Sequence, residues 1–317
     1  MKNLLTVFFL LFAFSHAAHS QIKKITVAKD GSGDYTSVQQ AIDAVVDSNK
    51  SVTTIYIKNG VYKEKLTLHR SKMNVHFIGE SVEKTVLTYD DYAQKKDARG
   101  RDMGTSPSSS LFIYGSDFSA ENITFENSSG PVGQAVAVRV TGDKAKFINC
   151  RFLGFQDTLY THGDYSRQYY YKCYIEGTVD FIFGAATAVF DKCIIFGKRG
   201  GYYTAASTPA DAKFGYVFLN CKITGDAPAN SFYLGRPWRP SAKTVFIKCN
   251  LGKQVKPEGW NNWGKVENEN TAFYAEYKNK GDGASTEKRS SWSHQLSRRE
   301  AKAYIIDNIF KGWKPTK

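Results

Sequence analysis

Residues 147–154 read FINCRFLG, and the spacing of large and small residues in this segment recurs along the chain. An aromatic residue lies three positions before the cysteine, and a large apolar residue lies two positions after it. Both recur around all five cysteines, which are Cys150, Cys173, Cys193, Cys221 and Cys249, at intervals of 20 to 28 residues. The first four also have a glycine four positions later. Such intervals are typical of solenoids, in which each repeat forms one coil.

The repeats predict an all-β fold, a parallel β-helix in which each coil adds short strands and stacks like residues on like residues. Cysteine would then be a small, buried, inward-facing residue in a ladder. Neighbouring coils lie about 4.8 Å apart, within the roughly 4.4–6.8 Å between Cα atoms that a disulfide accepts. A free cysteine ladder and a Cys173–Cys193 disulfide are therefore both open alternatives.

Two sequence patterns predict short helices that cap the ends of the solenoid. Ser37-x-x-Gln40 and Ser297-x-x-Glu300 are typical of helix N-termini, because the serine hydroxyl can cap the first turn. Apolar residues at helical spacing follow each pattern: Val38, Ala41, Ile42 and Val45, and then Ala301, Tyr304, Ile305 and Ile309. The polar, serine-rich segment 282–293 is predicted to be a loop that crosses the outside of the solenoid.

The N-terminus has the features of a secretory signal peptide. Lys2 precedes an apolar stretch from Leu4 to Phe14 that is too short to span a bilayer, and Ala18-His19-Ser20 offers a cleavage site. We therefore predict a signal peptide at 1–20 and a single β-helix domain at 21–317. The protein is predicted to be exported, either secreted or periplasmic.

Composition and net charge restrict the kinds of molecule that the protein is expected to bind. The 317 residues are 42% hydrophobic and 23% charged, which is typical of globular proteins. Lys and Arg number 43 against 30 Asp and Glu, so the net charge of +13 favours attraction to polyanions. The basic residues form no continuous run, which argues against nucleic acid and leaves an acidic polysaccharide as the partner that an exported protein would meet.

Two aspartates have the same position relative to the repeat. Asp157 lies seven residues after Cys150, and Asp180 lies seven residues after Cys173. In register, the two carboxyl groups would be one coil apart, so that one is ionised and its neighbour is protonated. The alternative is that each aspartate caps a turn. Against it, Asp180 lies inside an apolar strand pattern, where an unpaired carboxylate is costly.

Other polar residues complete a candidate catalytic site. Arg236 can hold a carboxylate through two parallel hydrogen bonds, although an arginine in a turn is often only a surface residue. Gln134 and Gln156 can donate amide hydrogens to an oxyanion, although isolated glutamines are often surface residues too. The chain has no serine-hydrolase elbow, zinc-protease motif or phosphate-binding loop, and its histidines lack metal-ligand spacing.

Five segments in order resemble the signature segments of the pectin methylesterase family. They are 59–64 (NGVYKE), 134–139 (QAVAVR), 154–159 (GFQDTL), 180–184 (DFIFG) and 234–238 (LGRPW). The resemblance covers nearly the whole of the chain after the predicted signal peptide, starting at Asp30. It implies a right-handed parallel β-helix that hydrolyses galacturonate methyl esters without a metal or other cofactor.

The resemblance also implies a role for each matching residue. Asp180 is similar to the family nucleophile, Asp157 to its acid/base and Arg236 to the residue that orients the nucleophile. Gln134 and Gln156 resemble the oxyanion donors. Trp238 resembles a sugar-stacking tryptophan and Thr105 a substrate-contacting threonine, while Tyr160, Phe183 and Tyr203 are predicted to extend the aromatic floor under the sugar or else to belong to the core. The implied partner is methylesterified pectin, bound by a monomer with no nucleic acid or membrane involved.

Two alternatives of other classes stay open at this point. A glycoside hydrolase or lyase on the same scaffold would also use clustered acids, and would cut the pectic chain instead of releasing methanol. A non-catalytic solenoid that binds polysaccharide would leave the paired aspartates with a structural role only.

Overall fold

The computed structural model describes residues 23–316, which form a parallel β-helix of three long sheets. The central coils each contribute one strand to each sheet in turn, and the strands of one sheet pair in parallel from coil to coil. The predicted signal peptide at 1–20 lies outside the described residues.

The three sheets differ in their number of strands. Within the described residues, sheet A has eleven strands: Lys23–Val27, Thr53–Ile57, Val75–Gly79, Ser119–Glu121, Ala145–Ile148, Arg167–Tyr171, Thr187–Asp191, Tyr216–Leu219, Lys243–Ile247, Phe273–Tyr277 and His294–Gln295. Sheet B of the same region has eight: Gly60–Lys63, Thr85–Tyr89, Thr124–Asn127, Arg151–Leu153, Tyr174–Gly177, Ile194–Gly197, Lys222–Gly225 and Asn250–Leu251. Sheet C, again counted over 23–316, has six: Leu66–Leu68, Leu111–Ile113, Val138–Val140, Leu159–Tyr160, Ile182–Gly184 and Thr204–Ala206.

The remaining elements are short. Gly201–Tyr202 and Phe232–Tyr233 pair as a separate ribbon beside sheet C. The α-helices of residues 23–316 are Val38–Asp43, Asn268–Thr271, Arg298–Ala301 and Ile306–Phe310, and Ser106–Ser108 forms a 3₁₀ turn. No helix in this described region is both long enough and apolar enough to cross a lipid bilayer.

The interior of the solenoid contains the ladders that the repeat predicts. The aromatic residues before the five cysteines stack face to face along sheet A, with ring centroids 4.3 to 5.0 Å apart: Phe147, Tyr170, Phe190, Phe218 and Phe246. The apolar residues after the cysteines form a second buried row along sheet B: Phe152, Ile175, Ile195, Ile223 and Leu251. Each such aromatic contact contributes roughly 0.5–1.5 kcal/mol beyond burial, so the repeat itself stabilises the stack.

A single residue makes the bend between sheets A and B in each of these coils. The residue before every cysteine has a φ between 49° and 54°: Asn149, Lys172, Lys192, Asn220 and Lys248. This left-handed backbone is uncommon outside glycine and suits asparagine best. It turns the chain within one residue, so the following cysteine points into the core.

All five cysteines are free and buried, so the alternative of a Cys173–Cys193 disulfide is wrong. Each thiol instead donates to a backbone carbonyl oxygen of the preceding coil, at sulfur–oxygen distances of 3.2 to 3.5 Å. Each buried S–H group, a weak donor, therefore has an acceptor in the core. Neighbouring coils are joined at these positions by hydrogen bonds and not by disulfides.

The N-terminal end is covered by the helix Val38–Asp43, as predicted, but its cap differs from the expected capping box. The Ser37 hydroxyl accepts from the Gln40 backbone nitrogen. Gln40 does not return the bond; instead Glu64 accepts from the Val38 and Gln39 nitrogens, both at 3.0 Å. A carboxylate from the second coil thus fixes this helix on the end of the stack.

The C-terminal helices lie elsewhere than predicted. Ser297 and Glu300 do form a complete capping box. However, Ile309 and Phe310 of the last helix pack on the outer face of sheet A, against outward-facing side chains such as Tyr169 and Val217, and not over the end of the stack. In these coils both faces of sheet A carry apolar side chains. The outer face therefore has to be covered by the last helix.

Segment 282–293, predicted as an outer loop, packs against the last complete coil. Trp292 lies against Tyr274, with ring centroids 5.6 Å apart, at the edge of the core. Arg289 donates to the buried carboxylate of Glu276, with Nε 2.7 Å from Oε1, and also to backbone carbonyl oxygens. The buried ion pair fixes this segment in place.

Candidate active site

Sheet C presents a row of side chains on its outer face, and this row forms the floor of a cleft. The register aligns Arg139 with Tyr160, Tyr160 with Phe183 and Phe183 with Ala205 in successive coils. The rings of Tyr160 and Phe183 stack with centroids 4.2 Å apart, and Trp238 packs against both. The three aromatic residues Tyr160, Phe183 and Trp238, which the sequence analysis assigned to a sugar-binding floor, are therefore in contact with one another.

The two aspartates lie side by side at the edge of this floor. Leu159 pairs with Ile182, which places Asp157 beside Asp180 in the neighbouring coil, one spacing of about 4.8 Å along the stack. The backbone φ is 66° at Asp157 and 52° at Asp180. The two residues are only 7% and 6% exposed, respectively. Such burial does not fit a role in capping an exposed turn. In addition, the Asp180 carboxylate binds an arginine that is distant in the sequence.

Arg236 holds Asp180 with the predicted two-pronged geometry. Its Nε and Nη2 donate to the two carboxylate oxygens at 2.9 and 2.6 Å. The guanidinium is itself enclosed between the rings of Tyr202 and Trp263, 3.8 and 3.7 Å from their centroids. Stacking of this kind suits arginine and restricts its rotation. Sequence reasoning missed both aromatic residues, since neither lies at a fixed spacing from Arg236.

The surroundings of the two carboxyl groups shift their pKa values to different extents. Burial raises the pKa of Asp157 well above its ordinary value, and the charge of Asp180 raises it further. Burial also raises the pKa of Asp180, but the hydrogen bonds and charge of Arg236 oppose that shift. Of the two carboxyl groups, Asp157 therefore keeps its proton to the higher pH, and Asp180 is the one that ionises first.

The two predicted amide donors lie next to the aspartates. Gln134 and Gln156 pair in parallel across neighbouring coils, and both line the cavity above the floor. The Gln134 side-chain oxygen accepts from the amide of Gln94 at 3.2 Å. Because its oxygen is engaged, the Gln134 amide hydrogens are available to the cavity. Gln94 was not predicted; it lies in the loop after the strand Thr85–Tyr89, and no motif marked its position.

The cavity has a volume of about 400 Å³ and contains most of the predicted residues. Its lining includes the aspartates, glutamines, Arg236, the three floor aromatics and Thr105, together with Ser106, Ala205 and Trp263. Within the described part of the chain, no group of three or more His, Cys, Asp or Glu side chains is arranged to bind a metal ion.

Tyr203 is the one predicted substrate contact that the structure contradicts. Its side chain is fully buried in the core, stacks on Phe232 at 4.5 Å between ring centroids and donates to the Thr224 carbonyl oxygen. Successive side chains of a strand point to opposite faces. The neighbouring Tyr202 faces outward and reaches Arg236, so the sequence interpretation was wrong by one position.

The cleft of this parallel β-helix holds an ion-paired carboxylate beside a second buried carboxyl group and two amide side chains, which are the kinds of group that nucleophilic and acid–base catalysis by a hydrolase require. The family model described as Pectinesterase matches residues 24–312. The chain is 44% identical to Pectinesterase 31 of Arabidopsis thaliana over 289 residues, which are 89% of this chain and 90% of that protein. The chain therefore belongs to the pectinesterase family, a family of carboxylic ester hydrolases.

Solved structures agree with this assignment. Pectin methylesterase from carrot superposes with a TM-score of 0.84 at 33% identity, covering 91% of this chain and 93% of that one. A pectin methylesterase in complex with a hexasaccharide superposes with a TM-score of 0.80 at 32% identity, covering 92% and 98%. The predicted right-handed parallel β-helix is confirmed.

Proposed function

We propose that this protein hydrolyses the C6 methyl esters of homogalacturonan to pectate and methanol, with Asp180 as nucleophile and Asp157 as acid/base. One observation carries the assignment of roles: two buried carboxyl groups are adjacent, and only Asp180 has a bidentate arginine. The substrate class is supported by family membership and by the pectin methylesterase that was solved with a hexasaccharide.

In the first half of the reaction, an Asp180 oxygen attacks the ester carbon and a tetrahedral oxyanion forms. Gln134 and Gln156 donate hydrogen bonds to this oxygen, an interaction that strengthens as charge develops. The intermediate collapses with cleavage of the bond from C6 to the methoxy oxygen. Asp157 gives its proton to that oxygen, methanol leaves, and C6 remains joined to Asp180 as an anhydride.

In the second half, Asp157 is the base. It takes a proton from a water molecule whose oxygen attacks C6, and the bond from C6 to the Asp180 oxygen breaks. Asp180 is again a carboxylate held by Arg236, and Asp157 is again protonated. The product acid loses its own proton to solvent, so the net consumption is one water for each ester.

The floor and its surroundings suit a chain of sugars. Tyr160, Phe183 and Trp238 offer flat apolar faces to the rings, and Thr105 offers a hydroxyl at the rim. Trp238 also lines two further grooves that adjoin the cavity, and both of them contain Arg239. A polysaccharide could thus extend beyond the reacting residue in contact with positive charge.

We further propose that the protein is exported after removal of residues 1–20, and that 21–317 is a single catalytic domain. It would act as a monomer that needs no metal, nucleic acid or membrane. One continuous core runs through the stack of coils, from the helix Val38–Asp43 to Trp292, which supports one catalytic unit.

The test is methanol release from highly methylated pectin by the wild type, Asp180→Asn and Asp143→Asn. Asp143 is a matched control because Arg167 also holds its carboxylate through two hydrogen bonds, but away from the cavity. We expect Asp180→Asn to lose activity by on the order of 10⁴-fold or more, and Asp143→Asn to retain it. Methanol release by Asp180→Asn at near the wild-type rate, or new reducing ends in place of methanol, would refute the proposal.

A further inference from the structure

The one-residue bends between sheets A and B lie in a straight row along the solenoid, from Asn149 to Lys278. Each bend residue donates its backbone N–H to the carbonyl oxygen just before the next bend, at nitrogen–oxygen distances of 2.8 to 3.0 Å. The row therefore advances by one coil spacing at each step and is about 24 Å long over six bends. Sheet C and its cleft do not adjoin this corner, and no residue of the row lines the cavity.

Four of the six bend residues are exposed lysines, here called the lysine ridge: Lys172, Lys192, Lys248 and Lys278. Left-handed backbone is unfavourable for lysine, and like charges in adjacent strands repel. Asn149 shows the less costly solution, because its side-chain amide donates to the Asn122 side-chain oxygen of the preceding coil at 2.7 Å. The lysines cannot accept such a bond. Residues in costly conformations are concentrated at functional sites, so this row is a candidate binding surface.

No acidic side chain neutralises the lysine ridge. Within residues 23–316, its four lysines form no ion pair with Asp or Glu. Asp191 is the one acid that directly precedes a bend of this row, and its carboxylate accepts from the Tyr169 hydroxyl at 3.0 Å. Outward-facing residues on the sheet B side add further cations: Arg151, Lys222 and Lys280. The row thus favours a ligand with negative charges at short, regular intervals.

Tyrosine rings lie beside the cations of the ridge. The Lys172 and Lys192 ammonium nitrogens lie 5.3 and 5.7 Å from the ring centroid of Tyr171. Lys278 lies 5.6 Å from the ring centroid of Tyr277. A hollow of about 510 Å³ adjoins the ridge on the outer face of sheet A, and Tyr171 and Lys192 both line it. Flat apolar rings suit the faces of sugars, and the ammonium groups beside them suit carboxylates.

We propose that the lysine ridge binds de-esterified homogalacturonan, as a second polysaccharide site separate from the catalytic cleft. A single straight row of cations fits one extended chain with one carboxylate on each sugar, whereas duplex nucleic acid presents the phosphates of two strands. This inference rests on the proposed function, because the cleft would generate that polymer from methylated pectin. The ridge would then hold the protein on the material that it has already processed.

The experiment measures binding to polygalacturonate by the wild type, a ridge variant and a control variant. In the ridge variant, the four lysines become asparagine, which occupies the same row at Asn149 and Asn220 and suits its backbone. Its Tm should therefore be no lower than that of the wild type. The control makes the same change at four other exposed lysines that form no ion pair within residues 23–316: Lys50, Lys253, Lys288 and Lys302.

For the ridge variant, we expect Kd to rise about tenfold at low ionic strength, the scale of four exposed ion pairs. The control loses the same net charge, and its Kd should change by less than about twofold. The difference between the two variants should disappear near 1 M salt, where the Debye length is about 3 Å.

An equal loss of binding by both variants would overturn the inference, since net charge and not the ridge would then be responsible. No loss by either variant would overturn it too. So would a ridge that is required for binding double-stranded DNA but not polygalacturonate. Methanol release by the wild type from highly methylated pectin is measured in parallel, and its absence would refute the proposed function whatever the polymer binding shows.

Discussion

Asp157 and Asp180 occupy the same position in successive coils, and both have left-handed backbone, with φ of 66° and 52°. Such a conformation costs an aspartate roughly 1 kcal/mol or more and persists only where the surrounding structure enforces it. Here the parallel pairing of the following residues enforces it in both coils. The strained backbone brings two carboxyl groups together in a buried cleft, where burial and the charge of Asp180 raise the pKa of Asp157.

Replacing Arg236 by lysine should move the acid limb of the pH–activity profile upward. Asp180 must be ionised to attack, and Arg236 opposes the rise of its pKa that burial causes. Lysine provides a charge without the two parallel hydrogen bonds, so the pKa of Asp180 should rise and activity should begin at higher pH. The measurement is kcat/KM against pH for Arg236→Lys; an unchanged acid limb would contradict the assignment of Asp180 as nucleophile.

Asp157→Asn should inactivate the enzyme and yet stabilise its fold at neutral pH. Because the pKa of Asp157 is raised in the folded state, the folded protein holds a proton that the unfolded chain loses at lower pH. Stability therefore falls as pH rises from the unfolded pKa of about 3.9 to the folded value. The difference in Tm between Asp157→Asn and wild type should be small near pH 4 and grow toward neutrality. A difference that does not depend on pH would rule out a raised pKa.

Gln134→Ala should lower kcat much more than it changes KM. A single donor to an oxyanion contributes about 10²–10³-fold to kcat, and the bond forms fully only when the oxyanion does. Gln94→Ala should have a smaller effect of the same kind, because Gln94 only orients the Gln134 amide. Initial-rate kinetics on methylated pectin test both variants. A rise in KM at constant kcat would instead make Gln134 a ground-state binding residue.

The aromatic enclosure of Arg236 should matter for catalysis as well as for packing. Tyr202→Leu and Trp263→Leu each remove one of the rings that flank the guanidinium, so Arg236 should hold Asp180 less firmly. We expect kcat to fall about tenfold for each, with the same upward shift of the acid limb as in Arg236→Lys. Trp238→Leu is the comparison, because its ring packs on Phe183 instead. It should raise KM and leave the acid limb in place.

The cysteine ladder makes a prediction about thiol reactivity. All five thiols are buried and free, so a water-soluble disulfide reagent should label none in the native protein and five after denaturation. A Cys173–Cys193 disulfide would leave only three reactive thiols in the denatured protein. Counting released chromophore under both conditions distinguishes these outcomes, with a reduced and denatured sample as the reference for full reactivity.

The amino-acid sequence determined the repeat and the chemistry that depends on it. The spacing around the cysteines predicts the coils, because each coil must bury similar residues at similar positions. The equal offsets of Asp157 and Asp180 from their cysteines then predict adjacent carboxyl groups. Their adjacency depends only on coil register, which the stacking of like side chains enforces.

Only the tertiary structure decided the contacts that do not follow the repeat. Arg236 reaches Asp180 from two coils later and is enclosed by Trp263 from a loop, and Gln94 reaches Gln134 from another loop. Loop paths carry no periodic signal. Which of Tyr202 and Tyr203 faces the cleft depends on the alternation of side chains at the strand Gly201–Tyr202. A shift of one residue would move a side chain from the core to the cleft. Local periodicity thus specifies which residues share a coil position, whereas loops and strand phase specify which of them meet at the site.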